Sequence, residues 1–252
     1  MKSRRQFKIK RLYARCISAI CVRQSTSRWL SGYEASCRGF ESKESILHWC
    51  RDHRVHHKYT ETDADPYNSK RGFFFCHIGW MMCKKHSAVI AAGKKLPMAD
   101  LLADPVVRFN AKYYKPMWLL FCFIFPTVIP VYFWDEKWLN AFCVAGVLRY
   151  VFQLHCTWYI NSIAHMFGYR PFDKNMEARD SPFSDYVFPN EGYHNFHHAF
   201  PRDYKAKEHG FSLNCVRVFI ELMALIGQAY DLKLSSDEVI KSRKLRTGDG
   251  SK

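Results

Sequence analysis

The chain lacks several things at once, and each absence removes a class of protein. No acidic residue occurs before Glu34, although nine basic ones do, and no histidine occurs before His48. The start is basic but has no apolar core followed by a small-residue cleavage site, so it does not read as a signal peptide. Ten cysteines are present, yet no Cys-x-x-Cys pair occurs among them. That argues against a structural zinc site of the cysteine type. The scattered cysteines, several of them in apolar stretches, read as reduced residues facing lipid or cytosol. Net charge is +15, but no nucleic-acid-binding module accompanies it. The positive balance therefore points to anionic lipid or a phosphorylated substrate, and nucleic acid is not an expected partner.

What is present is aromatic, apolar and rich in histidine. Phe, Tyr and Trp make up 16% of the chain, as membrane-interface belts and large cores both require. Residues 1–45 form a divergent basic segment, an arm or alternatively a mitochondrial-type targeting sequence. From Ile46 the pattern turns helical, and residues 46–116 read as the first part of a polar cap. Within it, Phe73 to Met82 is apolar but too short to span a bilayer. Asp104-Pro105 starts a helix, with proline at the first position.

Met117 to Trp134 runs eighteen residues without a charge, about the minimum for a hydrocarbon core of ~30 Å. Pro126 and Pro130 lie within it, which membrane helices tolerate when neighbours satisfy the freed carbonyls. After Asp135-Glu136-Lys137, a second long apolar segment runs from Trp138 to Ile160. Residues 117–160 thus read as one transmembrane helical hairpin. Lys112, Lys115, Arg170 and Lys174 flank it, which places both outer ends and both termini in the cytosol. Residues 161–234 form the second part of the cap, including an amphipathic helix over 211–230. Residues 235–252 read as a polar, partly disordered tail. The fold class is an all-α integral membrane protein with a histidine-rich cytosolic cap.

Three histidine clusters carry the chemistry: His53-Arg54-Val55-His56-His57, Asn161-Ser162-Ile163-Ala164-His165 and His194-Asn195-Phe196-His197-His198. Residues three and four apart share a helical face. Seven imidazoles from three segments exceed the needs of one zinc ion and suit a pair of transition metals. His48, His77, His86, His155 and His209 stand alone and read as surface or satisfied core residues.

The stretches RDHRVHHKYTETDADPYNSKRGFFFCHIGW, LRYVFQLHCTWYINSIAHMFGYRPFDKN and NEGYHNFHHAFPRDYKA resemble the membrane-bound fatty acyl-CoA desaturases, of the stearoyl-CoA, delta-9 or delta-11 type. The resemblance runs from about Ile46 to Asp231. It implies a di-iron enzyme of the endoplasmic reticulum membrane. Such an enzyme uses dioxygen and electrons from cytochrome b5 to place a cis double bond in a saturated fatty acyl-CoA. By resemblance, His53, His57 and His198 would hold one iron. His56, His165, His194 and His197 would hold the other, with Asn161 placing a water. Arg51 and Asp52 would meet the CoA head, Lys84 and Lys85 its phosphates, and Trp158 would line the acyl tunnel. The family also has an upstream His-x4-His box. Counting back from His53 puts its two positions at Cys16 and Cys21, and neither is a histidine. The alternative reading is therefore a catalytically impaired, desaturase-like partner that regulates a desaturase or binds acyl-CoA.

Overall fold

The computed structural model describes residues 45–187, 192–207 and 215–251. Cys16, Cys21, His209 and all of the basic N-terminal segment except Ser45 lie outside them. Helix α1, Ile46–Tyr59, begins after the extended Ser45, and its first amide donates to Asn110 Oδ1 at 3.0 Å. Its apolar positions bury in two directions. Ile46 and Cys50 pack against Leu101 and Val107, whereas Val55 packs against Val89 and Ala92. These partners come from α2 (Ser87–Lys95), α3 (Ala99–Ala103) and the start of α4 (Pro105–Trp134). Asp104 caps α4, its Oδ1 accepting from the Val106 and Val107 amides at 2.6 and 3.2 Å. Proline at the next position loses nothing there, because that amide has no intrahelical partner.

Helices α4 and α5 (Trp138–Met166) are 30 and 29 residues long, each apolar enough to cross a membrane. Both extend beyond residues 117–160. The polar first turns of α4 and the histidine-bearing last turn of α5 continue the helices past their apolar parts. A bilayer core takes up about 20 helical residues, so each helix is longer than one crossing needs. The link turns at Asp135, which adopts left-handed φ/ψ.

The prolines leave a definite mark. Pro116 lies inside α4, and Tyr113 has left the helical region just before it (φ −109°, ψ 17°). That kink follows from the proline ring crowding the preceding turn. Pro126 has no amide to give the carbonyl four residues back, which is Cys122 O. Arg149 of α5 supplies the donor instead: its Nη2 lies 2.7 Å from Cys122 O and its Nε 2.8 Å from Ala145 O. Both spans widen to π-helical turns, at Leu120–Ile124 and Phe142–Leu148. They approach closely at Gly146, where a Cβ would stand 3.2 Å from Thr127 Oγ1.

Phe75–Gly79 forms a short π-helical turn leading into Trp80–Met82. It packs on α5, with Tyr67, Trp80, Cys122, Tyr150, Leu154 and Trp158 in one buried cluster. Beyond α5 come α6 (Pro182–Val187), α7 (His194–Ala199), α8 (Cys215–Leu225) and α9 (Asp237–Thr247). Helix α8 falls within the expected amphipathic segment, with Ile220 buried and Val218, Leu222 and Leu225 exposed. Within the polar tail, residues 237–247 form a helix whose Ile240 is buried with Phe172, Phe196 and Phe200. Strand-type pairing is limited, among the described residues, to isolated bridges of Asp180 with Tyr169 and Tyr193.

Candidate metal centre

Three helices bring the histidines together. Helix α1 carries His53, His56 and His57, the last turn of α5 carries Asn161 and His165, and α7 carries His194, His197 and His198. Their ring nitrogens form two sets, each with donors within 4.8 Å of one another. One set is His56, His165, His194 and His198, all buried. The other is His53, His57 and His197. The sets adjoin, since the rings of His57 and His198 stack with centroids 4.3 Å apart.

This grouping differs from the one drawn from resemblance only in the places of His197 and His198, and the His57 ring lies beside both, 4.3 Å from that of His198 and 4.6 Å from that of His197. His194 and His198 are four apart and stand one above the other, with Nε2 atoms 3.2 Å apart. His197 turns to the other side of α7, where its ring lies 4.6 Å from that of His57. His53 and His57 form the same four-residue pair on α1, with Nε2 atoms 2.9 Å apart. His56, between them, faces the first set.

Two carboxylates fix the imidazoles from behind. His56 Nδ1 lies 2.8 Å from Asp65 Oδ1, and His165 Nδ1 lies 3.2 Å from Glu61 Oε1. A proton on Nδ1 donated to the carboxylate leaves Nε2 as a lone pair aimed into the set. His165 Nε2 then meets His194 Nε2 at 2.9 Å. Bare lone pairs at that distance repel unless a cation or proton lies between them, so the donor set suits a metal ion.

The electrostatics divide the histidines, favouring the neutral form at His198 and the charged form at His56. Burial pushes the His198 pKa well below its ordinary 6.5, and the neighbouring His57 and His194 add to this. Burial opposes charge on His56 as well, but the Asp65 charge and hydrogen bond, with the Glu61 charge, carry its pKa above 6.5. Asp65 is held below the ordinary carboxylate value: burial works against this, and the His56 charge and hydrogen bond outweigh it. Asp65 also accepts from the Glu61 and Tyr67 amides at 2.9 Å each, which locks the turn after α1.

Helix α7 has six residues, too few to be stable alone. Its position comes from Asp180 and Asn195. Asp180 Oδ1 accepts from the Asn195 and Phe196 amides at 2.6 and 3.1 Å. Asn195, fully buried, accepts from the Phe172 and Asp173 amides and donates to the Asp173 and Ala178 carbonyls.

The other expected site residues divide. Arg51, Asp52 and Lys85 meet beside a cleft of about 190 Å³ between α1 and α2, also lined by Val89 and Gly93. Asp52 is buried and pairs with both cations: Arg51 Nη2 is 3.2 Å from its Oδ1, and Lys85 Nζ bonds its Oδ2. Lys84 is exposed and does not line the cleft. Trp158 lies apart from it, in the aromatic cluster on α5. Among the solitary histidines, His48 bonds Ser45 Oγ and His86 caps α2. His77 is no lone surface residue, because its two nitrogens meet Ser162 Oγ at 2.9 Å and His155 Nδ1 at 3.0 Å. Glu61, Asp65, Asp180 and Asn195 were not singled out from the sequence. Only Asp65 carried a signal, as part of an Asp-x-Asp-Pro turn.

Comparison with known proteins agrees with this geometry. The family model for fatty acid desaturases matches residues 21–204, and the chain belongs to that family. It is 50% identical over 217 residues to stearoyl-CoA desaturase 5 of Bos taurus, covering 86% of this chain and 65% of that protein. It is 50% identical over 206 residues to the delta(9)-fatty-acid desaturase fat-7 of Caenorhabditis elegans, covering 82% and 61%. It is 48% identical over 209 residues to the stearoyl-CoA desaturase of Homo sapiens, covering 83% and 58%. The chain thus spans about three fifths of the length of the curated relatives it matches.

Asp65→Asn should weaken metal binding about 10–100-fold, the usual cost of losing a carboxylate behind a ligating imidazole. Competition against a chelator of known strength measures it. Unchanged affinity would show that the Asp65–His56 bond does not prepare the ligand.

Proposed function

We propose that this chain carries the metal-binding part of a fatty acyl-CoA desaturase of the endoplasmic reticulum membrane. The observation that carries the reading is the convergence of seven imidazoles from α1, α5 and α7 into two adjoining sets, in a chain of the desaturase family. Iron accepts neutral imidazole nitrogen, and the Nδ1 bonds to Asp65 and Glu61 make His56 and His165 suitable donors. His53, His57 and His198 would hold one iron, and His56, His165, His194 and His197 the other; the 4.3 Å stacking of the His57 and His198 rings supports that pairing. Asn161, one turn before His165, would place a water. When bound, the two irons supply the oxidant that an unactivated C–H bond requires.

The rest falls to the chain's own residues. Arg51 and Lys85 offer cations to the phosphates of CoA, while buried Asp52 holds both in place. Lys84 would add charge at the rim, and Trp158 would form part of the acyl tunnel wall. The reaction consumes dioxygen, two electrons and two protons, takes two hydrogens from the acyl chain and releases two waters. Cytochrome b5 is the proposed electron donor.

In the proposed topology α4 and α5 form a hairpin with both outer ends cytosolic, which the basic flanks and the short polar link support. A glycosylation acceptor inserted beside Glu136 should be modified in microsomes, and one beside Gly250 should not. The reverse pattern would refute the orientation.

One observation favours a second reading, that of a regulatory or acyl-CoA-binding partner. Among the described residues one set has three imidazoles against four in the other, and residues 1–44 contain no histidine. Yeast lacking its own desaturase separates the readings. The chain alone should not support growth without unsaturated fatty acid. Replacing the part before Ile46 with that of a stearoyl-CoA desaturase should restore growth, and His165→Ala in that chimera should abolish it. A chimera that accumulates in membranes but fails to support growth would contradict the enzymatic reading.

A further inference from the structure

Helix α9 lies outside the histidine-bearing elements, yet its contacts lead straight to them. Thr247 Oγ1 donates to Phe172 O at 2.6 Å, and the Lys174 amide donates to Thr247 O at 2.8 Å. Arg243 Nη2 donates to Asp173 Oδ2 at 2.5 Å. Just beyond the helix, Asp249 Oδ2 accepts from the Arg170 amide at 2.6 Å, and the Asp249 amide donates to Arg170 O at 3.1 Å. Five bonds therefore clamp the outer side of the turn 170–174.

The inner side of the same turn is held by Asn195. Its Oδ1 accepts from the Phe172 and Asp173 amides at 2.8 and 3.0 Å, and its Nδ2 donates to Asp173 O at 3.0 Å. Asn195 follows His194 directly and lies two residues before His197. Beneath these bonds, Ile240 of α9 packs with Phe172, and Phe196 and Phe200 flank them. A six-residue helix cannot orient itself, so what fixes the turn also fixes α7.

We propose that α9 is a latch that sets the position of the α7 histidines, with Arg243 and Thr247 as positioning residues acting through the Arg170–Lys174 turn and Asn195. The metal affinity of the site then depends on a segment that touches none of its ligands. This inference rests on the metal reading above. The magnitude follows from what partners behind metal ligands usually contribute, about 10–100-fold in affinity.

The test uses the full chain in detergent, stripped of metal and titrated with Co2+, whose visible absorption bands report coordination geometry. The unaltered chain should bind Co2+ and develop those bands. Thr247→Val and Arg243→Gln should keep the far-ultraviolet helical signal but bind Co2+ about 10–100-fold more weakly, with altered bands. Arg243→Lys should recover much of the affinity. Loss of affinity in Arg243→Gln cannot come from through-space electrostatics, because removing a cation would favour metal binding. If Arg243→Gln loses its fold, the near-isosteric Thr247→Val decides. Failure of the unaltered chain to bind Co2+ would overturn the metal reading and the latch with it. Binding by the unaltered chain with affinity and bands unchanged in the variants would overturn the latch alone.

Discussion

The structure depends on one constraint: seven imidazoles, most of them buried, must bring their ring nitrogens together at close range. Nitrogens 2.9 to 3.2 Å apart repel when bare and cannot all carry protons when buried. The fold meets this from behind. Asp65 and Glu61 hold the Nδ1 side of His56 and His165, so that their Nε2 atoms are the donors left over. The low dielectric that keeps His198 neutral is the environment in which a cation would be bound most tightly by such donors. Buried Asp180 and Asn195 hold α7, which has too few residues to hold itself.

The two long apolar helices meet a parallel constraint. Buried backbone groups need partners within the protein, and Pro126 has no amide for the carbonyl four residues back. Arg149 donates to that carbonyl, Cys122 O, from the neighbouring helix. The same pair of helices delivers Asn161 and His165 at its outer end, close to α1 and α7. The metal ligands, the spans and the aromatic cluster around Trp158 are thus consequences of one packing arrangement.

Much of this was legible in the sequence because it is written in local spacing. Histidines three and four apart gave the shared histidine faces, Asp104-Pro105 gave the start of α4, and long apolar runs gave α4 and α5. Other features rest on long-range pairings. His77 and His155 are 78 residues apart, and no periodicity connects them. Glu61 lies 104 residues from His165. Helix α9 read as a loose tail because it is polar on most sides, with Ile240 as its buried anchor. Its order comes from hydrogen bonds to a turn some 70 residues earlier, which composition cannot show.

The central claim is that imidazoles alone, in two adjoining sets, form the metal centre. X-ray absorption on the full chain loaded with iron tests it most directly. The account requires a first coordination sphere of nitrogen and oxygen, with the outer scattering pattern of several imidazoles per metal. A sulfur contribution to that sphere, or coordination by oxygen with no imidazole pattern, would contradict it.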